Sequence, residues 1–381
     1  MHGVRRPAAA DLPRGVEYGR LNPSGDTVMT TAMFDRERSE RFLRACRLQP
    51  VDRTPVWLMR QAGRYWPGYR ALRERYSMLE LLRTPELALE ITLQPVHAFE
   101  LDAAIVFSDI LLLLDAVGMG LEFVQGEGPR LRHPVRDPDV IERWPDPDVR
   151  HTMAPTLDTI RAARRALEGW CPLIGFTGAP YTLALYAVEG RGSPDFQFAR
   201  EWMAQHPEGT QRLLQRLAQW VGEYMRAQWE AGAQAIQIFD TWAAGLSVDQ
   251  YFEWAGRWTR WAMDLADVHG RGPFIVFAGR SGHLLECLAK LQPDVVSVGS
   301  DIPLDIAWSR LGYGVAVQGN LDPSWLLRPP EELDAAVCDV LRRAGGRPGH
   351  IFNLGHGVPK ETDPEQIRRL VTRVHTGLSV A

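Results

Sequence analysis

The chain lacks any run of about 18 consecutive apolar residues, which excludes a helix long enough to span a membrane. Cysteine is scarce: there are four, Cys46, Cys171, Cys287 and Cys338. None forms a C-x-x-C pair and none has a histidine at metal-ligand spacing, which argues against a structural zinc module. Scattered thiols in a large chain fit a reducing, cytoplasmic compartment. A surplus of positive charge is also missing. Lys and Arg number 43 against 47 Asp and Glu, a formal net charge of -4. General nucleic-acid binding leaves a basic footprint, so any anion site here has to be a local patch. No internal repeat and no low-complexity linker divides the sequence.

What is present is a globular composition, 45% hydrophobic and 24% charged over 381 residues. Past residue 33 the pattern alternates. Short, nearly continuous apolar runs fall at 56–59, 103–107, 172–176, 235–239, 274–277, 295–298, 315–318 and 350–353. Such runs are expected of parallel strands covered on both faces. Helical patterns lie between them, at 36–47, 86–100, 157–169, 207–232, 248–270, 281–291, 303–311, 330–345 and 364–376. Eight strands alternating with helices predict an α/β fold, a single-domain (β/α)8 TIM barrel over residues 34–381. A doubly wound open sheet is the competing arrangement. Residues 118–148 lack a helical period and are rich in Pro, Gly and Arg, which predicts a hairpin after the second strand. Residues 1–33 are rich in Arg, Pro, Gly and Ala without apolar period. They read as a disordered extension, with an organelle-targeting segment as the alternative. The 13 tryptophans are expected mainly in packing.

Chemically informative residues follow nearly every predicted strand. After the first come Arg60, Arg64, Arg70 and Arg73, interleaved with Gly63, Pro67 and Gly68. Guanidinium groups fit carboxylates or phosphates and stay charged. A solvated arginine-rich face is the bland alternative, and the constraining Gly and Pro weigh against it for Arg60 and Arg64. Arg70 and Arg73 fall on the helix expected after Pro67. After the second strand Asp109 is a lone acid among apolar residues, which is costly unless it is paired or accepts ligand N–H groups. The third is followed by a glycine-bearing turn, Pro180 and Tyr186, a residue suited to a ligand hydrogen bond or to packing. The fourth ends in Asp240-Thr241, where the Thr is a candidate cap or ligand group. The eighth leads to His356 between Gly355 and Gly357.

Together these motifs are similar to those of the uroporphyrinogen decarboxylase family. Met59-Arg60-Gln61-Ala62-Gly63-Arg64-Tyr65 resembles its first signature. Gly175-Phe176-Thr177-Gly178-Ala179-Pro180-Tyr181-Thr182-Leu183, with Tyr186, Glu189 and Gly190, resembles its second. Phe107-Ser108-Asp109-Ile110-Leu111, Val317 to Pro323, and Asn353-Leu354-Gly355-His356-Gly357 also match. The resemblance implies one (β/α)8 domain, a homodimer, no cofactor and no metal. It implies loss of carbon dioxide from the four acetate side chains of uroporphyrinogen III, giving coproporphyrinogen III. Arg60, Arg64 and Arg73 would face substrate carboxylates, and Asp109 the pyrrole N–H groups. Tyr186, Thr241 and His356 would complete the site. Thr241 stands where the family usually has Ser, which keeps the hydroxyl and adds a methyl. Gly68 replaces an acid common in the family, and the 277–281 segment departs from a lysine-bearing version, leaving Arg280 unassigned.

The residues fit this chemistry. Losing carbon dioxide from a pyrrole acetate needs an electron sink, which a protonated ring carbon supplies. A fixed carboxylate in a dry pocket would stabilise that cation, with Asp109 central. Arg60 is the neighbouring counter-ion and orienter. Arginines would position the polyanionic substrate through its remote groups. Two other readings share the scaffold: a corrinoid-dependent methyltransferase, which needs zinc to activate a thiol, and a non-catalytic tetrapyrrole carrier.

Overall fold

The computed structural model describes residues 28–124, 126–268 and 270–378. Its strands are β1 (Ala104–Ile105), β2 (Leu121–Val124), β3 (Gly128–Leu131), β4 (Leu173–Gly178), β5 (Ala235–Phe239), β6 (Phe274–Phe277), β7 (Val295–Ser297), β8 (Ala316–Gln318) and β9 (His350–Ile351). Seven of them form one parallel sheet in the order β1-β4-β5-β6-β7-β8-β9. Spatial order follows chain order and never reverses. A doubly wound sheet has a point where the order reverses, so the competing arrangement is not the one adopted. The sheet curls in the manner of a TIM barrel, with helices on its outside.

The run expected as the first strand, 56–59, differs from that expectation. It makes one parallel bridge, Val56 to Phe352. The Phe352 N–H donates to the Pro55 carbonyl (2.8 Å) and the Asp102 N–H to the Val56 carbonyl (2.9 Å). The segment therefore touches neighbours at both edges of the sheet without building a ladder. Side chains have taken the backbone donors: Leu58 N–H binds Gln61 Oε1 (3.1 Å) and Met59 N–H binds Asn353 Oδ1 (3.0 Å). Pro55 has no N–H to offer.

The sheet interior is layered by strand alternation. Buried Trp57 donates to Gln318 Oε1 (2.8 Å), and Gln318 Nε2 to Ser297 Oγ (2.9 Å). One pleat period further on, Phe239 follows Gln237 and Met59 follows Trp57. Outside, the helix Pro207–Ala231 repeats buried residues at helical spacing: Leu213, Leu217, Trp220, Tyr224 and Gln228. Gln228 anchors it by accepting from Phe176 N–H (2.9 Å) and donating to the Phe176 carbonyl (3.0 Å).

A buried ionic latch joins the two ends of the described chain. Asp102, fully buried, accepts from Arg41 Nη1 (2.6 Å), Val56 N–H (2.8 Å) and His375 Nε2 (2.7 Å). Arg41 sits on the helix Val28–Cys46 and His375 on the helix Pro364–Thr376. Nothing in the local sequence marks this contact.

Other boundaries moved. The first helix begins at Val28, inside the stretch read as an extension, and residues 1–27 lie outside the described residues. The helix expected at 248–270 is interrupted by a π-turn over Phe252–Gly256. Gly256 allows the Tyr251 ring to lie on the backbone, where a Cβ would come within 2.9 Å of it. The hairpin expected within 118–148 is present as β2 and β3, paired antiparallel. The Leu131 N–H fastens it to the Gly190 carbonyl (2.7 Å).

Candidate active site

The carboxyl ends of the parallel strands open into a cavity of about 1280 Å³, beyond the size usual for a drug-sized ligand. Its floor is apolar: Met59, Ile105, Phe176, Phe239 and Phe277. Its walls carry Arg60, Arg64 and Arg73, with Asp109, Thr241 and His356 from three other segments. Cations outnumber anions in the lining: Arg60, Arg64, Arg73, Arg75 and Lys360 against Glu74, Asp109 and Glu127. A local positive patch thus exists on a chain of formal net charge -4.

The arginine loop is shaped by its backbone. Arg60 has φ +62, a left-handed conformation that a side chain adopts at some cost. Gly63 then passes close behind it; a Cβ there would lie 2.8 Å from the Arg60 carbonyl oxygen. Neither the Arg60 nor the Arg64 guanidinium has a hydrogen-bond or ion-pair partner among the described residues. Arg70 does not join them. Its Nη1 donates inward to the Tyr65 carbonyl (2.7 Å) and the Arg64 carbonyl (3.1 Å), so it braces the loop. Arg73 lines the cavity and also donates to the Tyr76 carbonyl (2.6 Å).

Asp109 follows β1 and turns back so that its Oδ1 accepts the Leu111 N–H (2.8 Å). Burial pushes its carboxyl up to about 6, against the opposing pull of that N–H and of the Arg60 charge. Phe176, Phe239 and Phe277 line the same cavity. His356 sits over Phe277, ring centres 6.4 Å apart. Enclosure lowers its pKa, and the Arg60 and Arg280 charges lower it further, so the imidazole is neutral at pH 7. Its exposure is to the cleft.

The cavity thus offers an apolar floor, an excess of cations, the Asp109 carboxyl and a neutral imidazole. The family model for uroporphyrinogen decarboxylase matches residues 37–377. The chain belongs to this family. The uroporphyrinogen decarboxylase of Chloroflexus aggregans is 49% identical over 342 residues, covering 88% of this chain and 95% of that relative. That of a Roseiflexus species is 49% identical over 340 residues, covering 88% and 97%. Among solved structures, a methyltransferase from Methanosarcina mazei superposes with TM-score 0.72 at 19% identity, over 88% of this chain and 98% of that one. At that identity the likeness concerns the fold alone.

Of the residues that the family resemblance singled out, Arg60, Arg64, Arg73, Asp109, Thr241 and His356 converge on one cavity. Tyr186 does not line it. Its ring packs edge-on against Phe196 at 4.9 Å, and burial raises its hydroxyl pKa. The Trp242 indole, Asp109 and Arg60 also act on that hydroxyl, so it lies within reach of two residues that line the cavity. Sequence reasoning missed Lys360 at the rim, and Phe123 and Val124 of the hairpin, which cover one side of the cleft. The Lys carried no signal beyond its position four residues after His356.

Proposed function

We propose that this chain decarboxylates the four acetate side chains of uroporphyrinogen III, giving coproporphyrinogen III and carbon dioxide. The observation that carries the reading is Asp109 in a cavity with an apolar floor, beside Arg60 and Arg64, whose guanidiniums have no protein partner among the described residues. Such a site suits a ligand that is acidic at its edge and rich in N–H donors at its centre. The arginines hold carboxylates; Asp109 accepts pyrrole N–H bonds and faces the positive charge that develops when a ring carbon is protonated. The bond from the acetate methylene to its carboxylate then breaks. Its electron pair enters the ring and carbon dioxide leaves; the methylene then takes a proton to become a methyl group, and the ring carbon gives up the proton it had gained, which restores the neutral pyrrole. Arg60 is read as counter-ion and orienter, since guanidinium releases its proton reluctantly.

The same reading takes the Val56 segment as the eighth stave, closing the sheet into a single-domain (β/α)8 barrel. It takes the protein as a cytoplasmic homodimer, with unpaired thiols in keeping with a reducing compartment. Light scattering on the purified chain tests the dimer. The activity is tested by anaerobic incubation with uroporphyrinogen III in cofactor-free buffer, followed by oxidation and chromatography. Hepta- to tetracarboxylate products are expected. Their absence overturns the reading, and stoichiometric zinc in the purified protein would favour a methyltransferase.

A further inference from the structure

Behind the cleft wall lies a buried carboxylic acid that the proposed chemistry does not use. Asp240 follows β5 directly and precedes Thr241. It is fully buried, and its Oδ2 has no hydrogen-bond partner among the described residues. Its Oδ1 accepts the hydroxyl of Thr182 (2.9 Å), itself fully buried. Thr182 lies in the helix Pro180–Glu189, one turn before Tyr186. The same hydroxyl approaches the Trp242 N–H at 3.5 Å, on the far side of Thr241. Phe196 fills the gap beyond, edge-on to Tyr186 at 4.9 Å and to Trp242 at 4.7 Å. The Asp240–Thr182 bond thus helps to join the turn that carries Thr241 to the helix that carries Tyr186.

We propose that Asp240 is a positioning residue for the decarboxylation, holding Thr241 and Tyr186 in fixed relation through its bond to Thr182. This rests on the decarboxylase reading and on those two residues serving the site. The bond to Thr182 needs only an acceptor oxygen, not a charge. An ionised carboxylate with one oxygen buried and unpartnered is strongly disfavoured, and burial accordingly pushes Asp240 up to about 7. The other titratable groups around it are Tyr181 on the helix and Tyr251 on the short helix Val248–Tyr251, with Arg200 beyond the first and Cys287 beyond the second. Burial raises both phenols, so they stay neutral through the working range. The Thr182 hydroxyl donates to Asp240 Oδ1 whether or not the carboxyl keeps its proton, so the strap does not depend on the charge of Asp240.

The test uses the full chain with uroporphyrinogen III, after wild-type turnover has been established; an inactive wild type would count against the decarboxylase reading itself. Asp240→Leu and Thr182→Val remove the contact with little change of volume. Each is expected to lower kcat at least tenfold at pH 6.5, with KM within about threefold and a native circular dichroism spectrum. Asp240→Asn keeps the acceptor and Thr182→Ser keeps the hydroxyl, and both are expected to restore kcat to within about threefold of wild type. Should Asp240→Leu fail to fold, Thr182→Val carries the test. Wild-type kcat in folded Thr182→Val, or a loss in Asp240→Asn as large as in Asp240→Leu, overturns the proposal.

Discussion

Asp109→Asn separates the charge of this residue from its shape. The amide keeps an oxygen for the Leu111 N–H, so the local turn survives while the negative charge is lost. Opposite unit charges about 4 Å apart at an effective dielectric of about 20 attract by about 4 kcal/mol. If that attraction acts on the protonated ring in the transition state and not on the neutral substrate, losing it lowers kcat by about 10³-fold. Stability should move the other way. Burial that lifts the folded carboxyl from its ordinary 3.8 to about 6 costs about 3 kcal/mol once it is ionised. Solvent in the cleft screens this to about 2 kcal/mol. The folded pKa lies above the unfolded one, so the cost builds between pH 4 and about 6 and is complete above that. Asp109→Asn is therefore expected to melt about 3 °C higher at pH 8, with the gain fading as pH falls below 6. Product chromatography and thermal melts at several pH values read both effects. Normal turnover in this variant refutes the central carboxylate, and an unchanged melt at pH 8 refutes the burial argument.

Three further outcomes follow from the geometry. Arg64→Ala removes an exposed cation with no protein partner among the described residues, so the melting temperature should hold within about 2 °C while KM rises about tenfold; steady-state kinetics decide. Gly357→Ala places a Cβ against the side chain of Arg60, and is expected to lower kcat/KM about tenfold by moving that guanidinium. An effect on stability alone would show that Arg60 has room to adjust. Asp102→Ala leaves Arg41 only its pair with Asp52 and removes the acceptor of the Val56 N–H; it should destabilise by about 1–3 kcal/mol, read by denaturant titration. The Asp102 carboxyl is held below its usual range by His375, Arg41 and the Val56 N–H, against burial. Its contribution is therefore present above the ordinary carboxyl pKa and lost on acidification, so the wild type should lose more stability than this variant as pH drops below 4.

Much was legible in the chain because strands covered on both faces must be apolar throughout, and helices that cover them must be apolar on one stripe. The runs at 235–239 and 274–277 coincide with β5 and β6 for that reason. The candidate site was legible because a lone Asp109 among leucines and a glycine-bound arginine loop are both costly unless they meet something. The run at 56–59 misled because apolarity reports burial, and burial does not require a ladder when Gln61 and Asn353 side chains serve the backbone donors.

The sequence by itself determined the alternating architecture, the placement of arginines and Asp109 after strands, and the family. Those features are written in local order, as periodicity and motif. Only the tertiary structure decided which side chains face the cleft. Arg70 donates to two carbonyls of its own loop while the guanidinium of Arg64, six residues earlier, has no partner among the described residues. Tyr186 packs against Phe196, Asp240 meets Thr182, and Asp102 ties together both ends of the described chain. Each depends on contacts between residues far apart in sequence, and on the direction a side chain takes once the sheet has curled. Burial then sets the charge state of Asp109 and Asp240, a property of the surrounding protein and not of the residue type.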